Sequence, residues 1–200
     1  MAGMTSPKKA IALLSSGLDS SVALASVIAQ NYDIALALTV DYGQRAAVRE
    51  IEAARKIAQY YDIAHQVVEL PWLRELLPKA LTSGEKNNWP EAGAPGAEAL
   101  KMVWVPNRNG VLLNVAAAYA EAMGADAIIF GANAEEAVDF PDNTPAYRDQ
   151  LNAAFEYSTM NHVKIETPVG NLTKPQIVEL AAKLKAPLHL VWSCYEEGVL

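Results

Sequence analysis

Apolar positions follow two alternating textures along the chain. Short continuous runs stand at Ala10–Leu14 (AIALL) and Ile34–Val40 (IALALTV), with a mixed run at His65–Leu70 (HQVVEL). Runs of this length, bounded by polar or turn residues, read as strands buried in a parallel sheet. Between them the apolar spacing lengthens to a helical period. Leu18–Gln30 reads as one helix, and Arg45–Tyr61 sets Val48, Ile51, Ala54, Ile57 and Ala58 on a stripe of a second. Asn109–Met123 predicts an alanine-rich helix closed by Gly124, followed by a strand at Ala127–Gly131 (AIIFG). Pro145–Tyr157 predicts a helix and Val163–Thr167 a strand. Thr173–Leu184 predicts a last helix, with Thr173 as N-cap and Pro175 in the first turn. Strands separated by such helices predict an α/β fold: an open, parallel five-stranded sheet with helices on both faces, Rossmann-like.

The pattern breaks once, between Pro71 and Val105. A short helix there gives way to the Gly/Pro/Asn-rich stretch Thr82–Gly96, of the length used for lids, binding loops and connectors. Trp72, Trp89 and Trp104 bracket it; packing or a subunit contact is the first expectation for them, stacking on a flat ligand the second. A length of 200 residues suits one domain spanning 1–200, with an insert around 71–105. With 52% apolar residues the chain is not disordered, and its net charge of −7 disfavours duplex DNA and anionic membranes as partners. No apolar run approaches the roughly 20 residues of a membrane span. The first nine residues lack a signal-peptide core, and one cysteine, Cys194, excludes an internal disulfide framework. A cytoplasmic location is expected. His65, His162 and His189 do not form a metal-ligand spacing.

The strongest chemical signal is the junction Leu14-Ser15-Ser16-Gly17-Leu18-Asp19-Ser20-Ser21. A strand passes through a Ser/Gly turn straight into a helix, whose free first-turn amides and dipole suit an anion. The serines add hydroxyl donors. Asp19 fits an anion site only with a divalent cation between carboxylate and phosphate. The plain alternative is a Ser-capped helix. Neither G-x-x-x-x-G-K-[ST] nor G-x-G-x-x-G occurs, so a nucleotide would need another cradle.

Leu14–Ser21 resembles the S-G-G-x-D-S pyrophosphate loop of the N-type ATP pyrophosphatases (PP-loop family). Ser16 stands where that family has its first glycine, and serine suits the place only at negative φ. Further segments are similar to the 7-cyano-7-deazaguanine synthases of queuosine biosynthesis. Asp41-Tyr42-Gly43-Gln44-Arg45 matches their D-Y-G-Q-R, and Val105-Pro106-Asn107-Arg108-Asn109 their V-P-G-R-N. Gly131-Ala132-Asn133, Phe140-Pro141-Asp142, Thr173-Lys174-Pro175 and Trp192-Ser193-Cys194-Tyr195 follow in the family's order. Asn143-Thr144 stand where the family usually has Cys-Arg, a change expected to alter the substrate pocket.

The resemblance implies a ligase that turns 7-carboxy-7-deazaguanine and ammonia into the nitrile through acyl-adenylate and amide stages, releasing AMP and pyrophosphate. It implies ATP binding along Leu14, Ser15, Ser16, Gly17, Leu18, Asp19, Ser20, Ser21, Val22, Ala23 and Leu24, with Thr39 and Val40 presenting backbone to adenine. Asp19, Ser20 and Lys174 are the implied catalytic set, Asp19 orienting Mg²⁺ and Lys174 either neutralising phosphate or standing as a solvated lysine. Gln44, Arg45, Arg108, Asn109, Asn133 and Asp142 are the implied substrate binders, and Asn107 is a further candidate. The guanidinium fork of Arg108 suits a carboxylate or phosphate, and an ion pair is its structural alternative. The asparagines and Asp142 read purine edges or form turns. The family also implies a homodimer and a zinc site combining Cys194 with three cysteines of a C-x-x-C-x-x-C tail. The sequence ends at Leu200, so one ligand is present, and a missing tail is the expectation for a zinc segment starting near residue 190. Two alternatives stay open at this point: a PP-loop enzyme adenylating another carboxylate or a tRNA base, and a non-catalytic nucleotide-binding module.

Overall fold

The computed structural model describes residues 6–77 and 104–192. The first part comprises β1 (Lys9–Leu13), α1 (Leu18–Ala29), β2 (Asp33–Asp41), α2 (Ala47–Tyr60), β3 (His65–Glu69) and a 3-10 turn at Pro71–Leu76. The second comprises α3 (Arg108–Ala122), β4 (Ala127–Ile129), α4 (Glu136–Asp139), a 3-10 turn at Pro141–Asn143, α5 (Pro145–Ser158), β5 (Lys164–Glu166), α6 (Lys174–Leu184) and a 3-10 turn at Leu188–Leu190. All five strands are parallel, in the order β3-β2-β1-β4-β5. The expected α/β sheet is the one observed.

Side-chain alternation along the strands divides the interior into two cores. On one face the strands present small residues, Ala10, Ala12, Ala37 and Ala127, and the helices α1, α2 and α6 bring the bulk, including Val22, Leu24, Ile57 and Ile177. On the other face the sheet supplies Ile11, Leu13, Leu36, Leu38 and Ile128, and α3 answers with Ala116, Ala117 and Ala120, beside Phe155 of α5. Large meets small in each layer, which lets helices lie close to the sheet.

Val48 departs from its expected place on the buried stripe. It is 78% exposed, and α2 buries Ala47, Ala53, Ala54, Ile57 and Ala58 instead. Six residues at about 100° each leave Val48 roughly 120° around the helix from Ala54, so it cannot share that face. The ends follow local chemistry. Gly124 takes φ +63 just past α3, as a helix-stopping glycine should. At the start of α6 the Thr173 amide donates to Gln176 Oε1 at 2.8 Å, and Pro175 occupies the first turn.

The topology positions the site. The chain builds β1, β2 and β3 in one direction, then returns to lay β4 on the other flank of β1. The strand order reverses there, opening a crevice beyond the carboxyl ends of β1 and β4, where open α/β sheets bind ligands. Gly131, just past β4, packs against the first turn of α1. A Cβ on it would lie 2.6 Å from both the Cα and the backbone nitrogen of Ser20, so only glycine fits.

Candidate active site

A cavity of about 300 Å³ opens at this crevice, lined by the ends of β1 and β2, the exit of β4 and the first turns of α1 and α3. Gly17 is the N-cap of α1 and no side chain caps the helix, so the amides of its first turn have no intrahelical partner. Ser15 and Ser20 stand together, their Oγ atoms 3.1 Å apart, and Ser20 also donates to Gly17 O at 3.1 Å. Ser21 donates to the same carbonyl at 2.8 Å and is buried, which makes it a brace of the turn. The arrangement presents donors and the positive end of a helix dipole to the cavity.

Ser16 differs from its expected geometry. Its φ is +65, in the left-handed region, while Gly17 has φ −63. The serine therefore carries the conformation that favours glycine. It is fully buried, its Oγ has no hydrogen-bond partner, and its carbonyl accepts from Trp192 N at 3.1 Å. The neighbouring Leu14 N–Leu38 O bond of 2.9 Å fixes the strand end before it, so the backbone on both sides of Ser16 is held.

Asp19 joins α1 to the second half of the sheet. Its Oδ2 accepts from Lys174 Nζ and from Asn133 Nδ2, the latter at 3.0 Å, and Lys174 also reaches Glu136 Oε1 at 3.1 Å. Burial pushes the Asp19 carboxyl up, the lysine pulls it back down only in part, and the charge of Glu136 adds to the upward push. Burial lowers the Lys174 ammonium, but its bond to Asp19 and the two carboxylates outweigh this, and it stays charged. Asp19 Oδ1 is buried without a hydrogen-bond partner. An orphaned carboxylate oxygen beside a phosphate-ready helix end suits a cation that takes one protein carboxylate and completes its shell from phosphate and water, as Mg²⁺ does.

Across β1, on the β2 side, Thr39 Oγ1 donates to Leu14 O at 2.7 Å and lies 2.8 Å from His65 Nε2. The hydroxyl has one proton, directed at the carbonyl, so His65 is the donor through Nε2–H. Burial and the nearby Arg55 charge lower the His65 pKa and keep the ring neutral. The turn after β2 is tied by Gln44, which accepts from Tyr42 N (3.0 Å) and donates to Val40 O (3.3 Å) and Glu50 Oε2 (2.8 Å). Arg108, at the start of α3, lies over the Tyr42 ring at 6.0 Å and donates to Asn109 Oδ1 at 3.3 Å.

The cavity gathers Leu14, Ser15, Gly17, Leu18, Asp19, Ser20, Thr39, Val40, Gln44, Arg108, Asn109 and Lys174 from the expected set. It does not gather the others. Val22, Ala23 and Leu24 are core residues, because α1 is packed both on the sheet and against α6. Arg45 is not among the lining residues. Asn133 is fully buried, accepting from Glu135 N and Glu136 N through Oδ1 and donating to Asp19, so it positions Asp19 and ties down the turn into α4. Asp142 is buried beside Asn109; burial raises its pKa against the Arg108 charge and the Asn109 hydrogen bonds. Asn107 is the left-handed N-cap of α3, at φ +53. Asn143 accepts from Asn109 Nδ2 at 3.4 Å, so the departure at that position reaches the cavity through Asn109.

Glu50, Glu136 and Phe130 line the cavity without having been singled out, and Tyr42 and Trp192, named only as members of family-like segments, line it as well. Carboxylates in a helix's first turn are ordinary, so nothing local marked Glu50 or Glu136. Cys194 and most of the insert, including Trp89, lie outside the described residues. Among the described residues no group of three or more His, Cys, Asp or Glu is placed to hold a metal, and no helix is long and apolar enough to cross a membrane.

The profile of the family described as "Queuosine biosynthesis protein QueC" matches residues 9–199. A protein of Bdellovibrio bacteriovorus named 7-cyano-7-deazaguanine synthase is 47% identical over 202 residues, covering 98% of this chain and 87% of the relative. One of the same name from Desulforudis audaxviator is 49% identical over 195 residues, covering 95% and 88%. Among solved structures, the U34-tRNA thiolase NcsA of Methanococcus maripaludis, with its 4Fe-4S cluster, matches at TM-score 0.56 and 18% identity. That match covers 96% of this chain and 61% of the thiolase, and at such identity it speaks for the fold alone.

Proposed function

Since the chain belongs to the QueC family of queuosine biosynthesis, we propose that its cavity uses ATP to convert 7-carboxy-7-deazaguanine and ammonia into 7-cyano-7-deazaguanine, releasing AMP and pyrophosphate. The observation that carries this reading is the meeting, in one cavity, of the uncapped serine-lined start of α1 with the Arg108 guanidinium. One end suits a departing pyrophosphate and the other a planar carboxylate.

The substrate carboxylate attacks the α-phosphorus of ATP, the α–β bridging bond breaks, and pyrophosphate leaves. Ammonia adds to the acyl carbon and expels AMP, giving the amide and a proton. The amide oxygen then attacks the α-phosphorus of a second ATP, pyrophosphate leaves again with loss of one N–H proton, and loss of AMP with the remaining N–H proton closes the carbon–nitrogen triple bond. In both activations negative charge grows on the pyrophosphate. The first-turn amides of α1 have no intrahelical partner and stand at the positive end of the helix dipole, with Ser15 and Ser20 lining the same cavity, and preorganised donors of this kind suit that charge. Lys174 supplies a cation from a second helix start, and Asn133 holds Asp19 in place. Mg²⁺, when bound, neutralises phosphate charge, and Asp19 is the residue that would hold it. No nucleophilic side chain is needed.

The reading also carries a homodimer, a cytoplasmic location and zinc on Cys194. The deciding experiment follows nucleotide products. AMP and pyrophosphate should form only when the carboxylated deazaguanine is present, and the nitrile only with ammonia added. Release of ADP and phosphate instead would overturn the reading.

A further inference from the structure

A chain of side-chain hydrogen bonds crosses three strands to reach the serine loop, and the steps above leave it unused. The main-chain pairing of β1 with β2 runs as far as Leu13 and Leu38, and Leu14 N donates to Leu38 O at 2.9 Å. The Leu14 carbonyl, the last before Ser15, accepts from a side chain: Thr39 Oγ1 at 2.7 Å. Thr39 is 2% exposed, on the cavity wall. His65, the first residue of β3, holds the hydroxyl from the other side at 2.8 Å. In the β2–β3 register His65 lies opposite Ala37, which shares a face with Thr39 two residues on. The small alanine leaves the imidazole room to reach diagonally. The ring N–H takes a lone pair of the hydroxyl, and the single hydroxyl proton is left for Leu14 O.

We propose that Thr39 and His65 are positioning residues for the pyrophosphate loop, holding the Leu14–Ser15 peptide so that the Ser15 amide faces the crevice where pyrophosphate departs. The proposal rests on the function proposed above and deepens it. A trans peptide is planar, with its N–H opposite its carbonyl. The Leu14 carbonyl is drawn toward β2, so the Ser15 N–H points away from β2, toward the β4 flank of β1 where the crevice opens. Ser15 is exposed and lines the cavity, and among the described residues its amide has no hydrogen-bond partner. That amide adds one more main-chain donor to those of the first turn of α1. A hydroxyl bonded on one side still rotates. Bonded on both sides it is fixed, and a peptide plane held in advance needs no reorganisation when charge develops. A threonine with only a packing role would have no need of the imidazole bond that fixes its rotor.

The test uses the full-length enzyme and two pairs of variants. Thr39→Val keeps the shape and removes the hydroxyl, while Thr39→Ser keeps the hydroxyl. His65→Leu removes the ring donor, while His65→Gln supplies an amide donor. Thr39→Val should lower kcat for AMP formation about tenfold to a hundredfold, the scale of misplacing one group at the reacting centre, with KM for 7-carboxy-7-deazaguanine within about twofold. Thr39→Ser should restore most of the loss. Calorimetry with inorganic pyrophosphate and Mg²⁺ reads the loop without turnover: Thr39→Val should bind it about tenfold more weakly than the parent and His65→Leu about threefold, with recovery in the Ser and Gln variants. Unchanged pyrophosphate affinity, or KM rising for both substrates while kcat holds, overturns the proposal. If Thr39→Val fails to fold, the His65 pair decides by the same readouts, because that ring is half-buried on an edge strand. Weakened pyrophosphate binding in variants of an enzyme that forms no AMP would defeat the reaction proposed above and leave both residues their role; nitrile formation with unchanged pyrophosphate affinity would do the reverse.

Discussion

Two turns enter the cavity with a left-handed residue that is not glycine, and they differ in everything else. Ser16 precedes α1 at φ +65, and Asn107 precedes α3 at φ +53. Asparagine adopts this region more readily than most residues. Asn107 is exposed, and its side chain packs over Gly110, where an added Cβ would lie 2.2 Å from Oδ1. Ser16 has no such relief: it is buried, and its hydroxyl lacks a partner. Among the described residues the two buried side-chain atoms without hydrogen bonds are Ser16 Oγ and Asp19 Oδ1, three residues apart in the same loop. The loop around α1 thus keeps strain and unsatisfied groups, while the turn into α3 is relaxed. Strain and orphaned polar atoms held by well-packed surroundings are a mark of sites that await a ligand. On the function proposed above, the contrast would separate the reacting end from the recognising end.

The largest test of that contrast is Asp19→Ala. It removes the orphaned oxygen and releases Lys174 to Glu136 alone. AMP formation should drop by about a hundredfold to a thousandfold, the scale of losing one preorganised stabiliser of a developing oxyanion, here the cation that Asp19 would hold. Thermal unfolding should stay close to that of the parent, because the side chain lies at the cavity and outside both cores. Activity within about tenfold of the parent would remove Asp19 from the chemistry.

Gly131→Ala comes next. The new methyl meets backbone atoms of Ser20 at 2.6 Å, so either β4 or the start of α1 must shift. A loss of about 2 kcal/mol of stability is expected, measured by urea unfolding, together with weaker ATP binding. Gly17→Ala gives the contrast within the same loop. Its φ is negative and an added Cβ meets only Ser15 Oγ at 3.5 Å, so stability should barely change while nucleotide binding suffers.

These glycines show how much the sequence discloses. The five strands and the long helices were legible because short continuous apolar runs alternate with stretches of helical period, and β1 and β2 begin within one residue of their expected starts. Helix α4, four residues long, is too short to display any period. Val48 failed because an i, i+3 series drifts around the helix. At the site, the Ser/Gly turn and Asp19 announced themselves through residue type and position. Asn133 and Asp142 were expected at the substrate, yet burial turns them toward neighbouring protein groups. Glu50 reaches the cavity only because the Gln44 turn folds back on α2, a tertiary fact that no local pattern carries.

Ser16→Gly and Asn107→Gly break the comparison directly. Glycine at residue 16 relieves a left-handed serine and deletes a buried unpaired hydroxyl, so stability should rise by about 1 kcal/mol. At residue 107 the relief is smaller and offset by the lost packing over Gly110, leaving a change of a few tenths of a kcal/mol. Equal gains at both positions would mean that the loop of α1 is no more strained than the turn of α3.

The smallest effect concerns pH and distinguishes the β2 side from the Asp19–Lys174 side. His65 donates to Thr39 Oγ1 as a neutral ring, and burial with the Arg55 charge holds its pKa below the ordinary 6.5. The folded state therefore binds fewer protons than the unfolded state between the lowered value and 6.5, and stability rises with pH through that window. It is complete above 6.5 and declines as the pH falls toward the folded value. The ring is partly open to solvent, so screening keeps the loss to a few tenths of a kcal/mol. His65→Gln keeps a donor without the titration. Its unfolding curves at pH 7.5 and 5.5 should differ less than the parent's by that amount. An identical pH slope in parent and variant would show that the Thr39–His65 bond does not respond to protons.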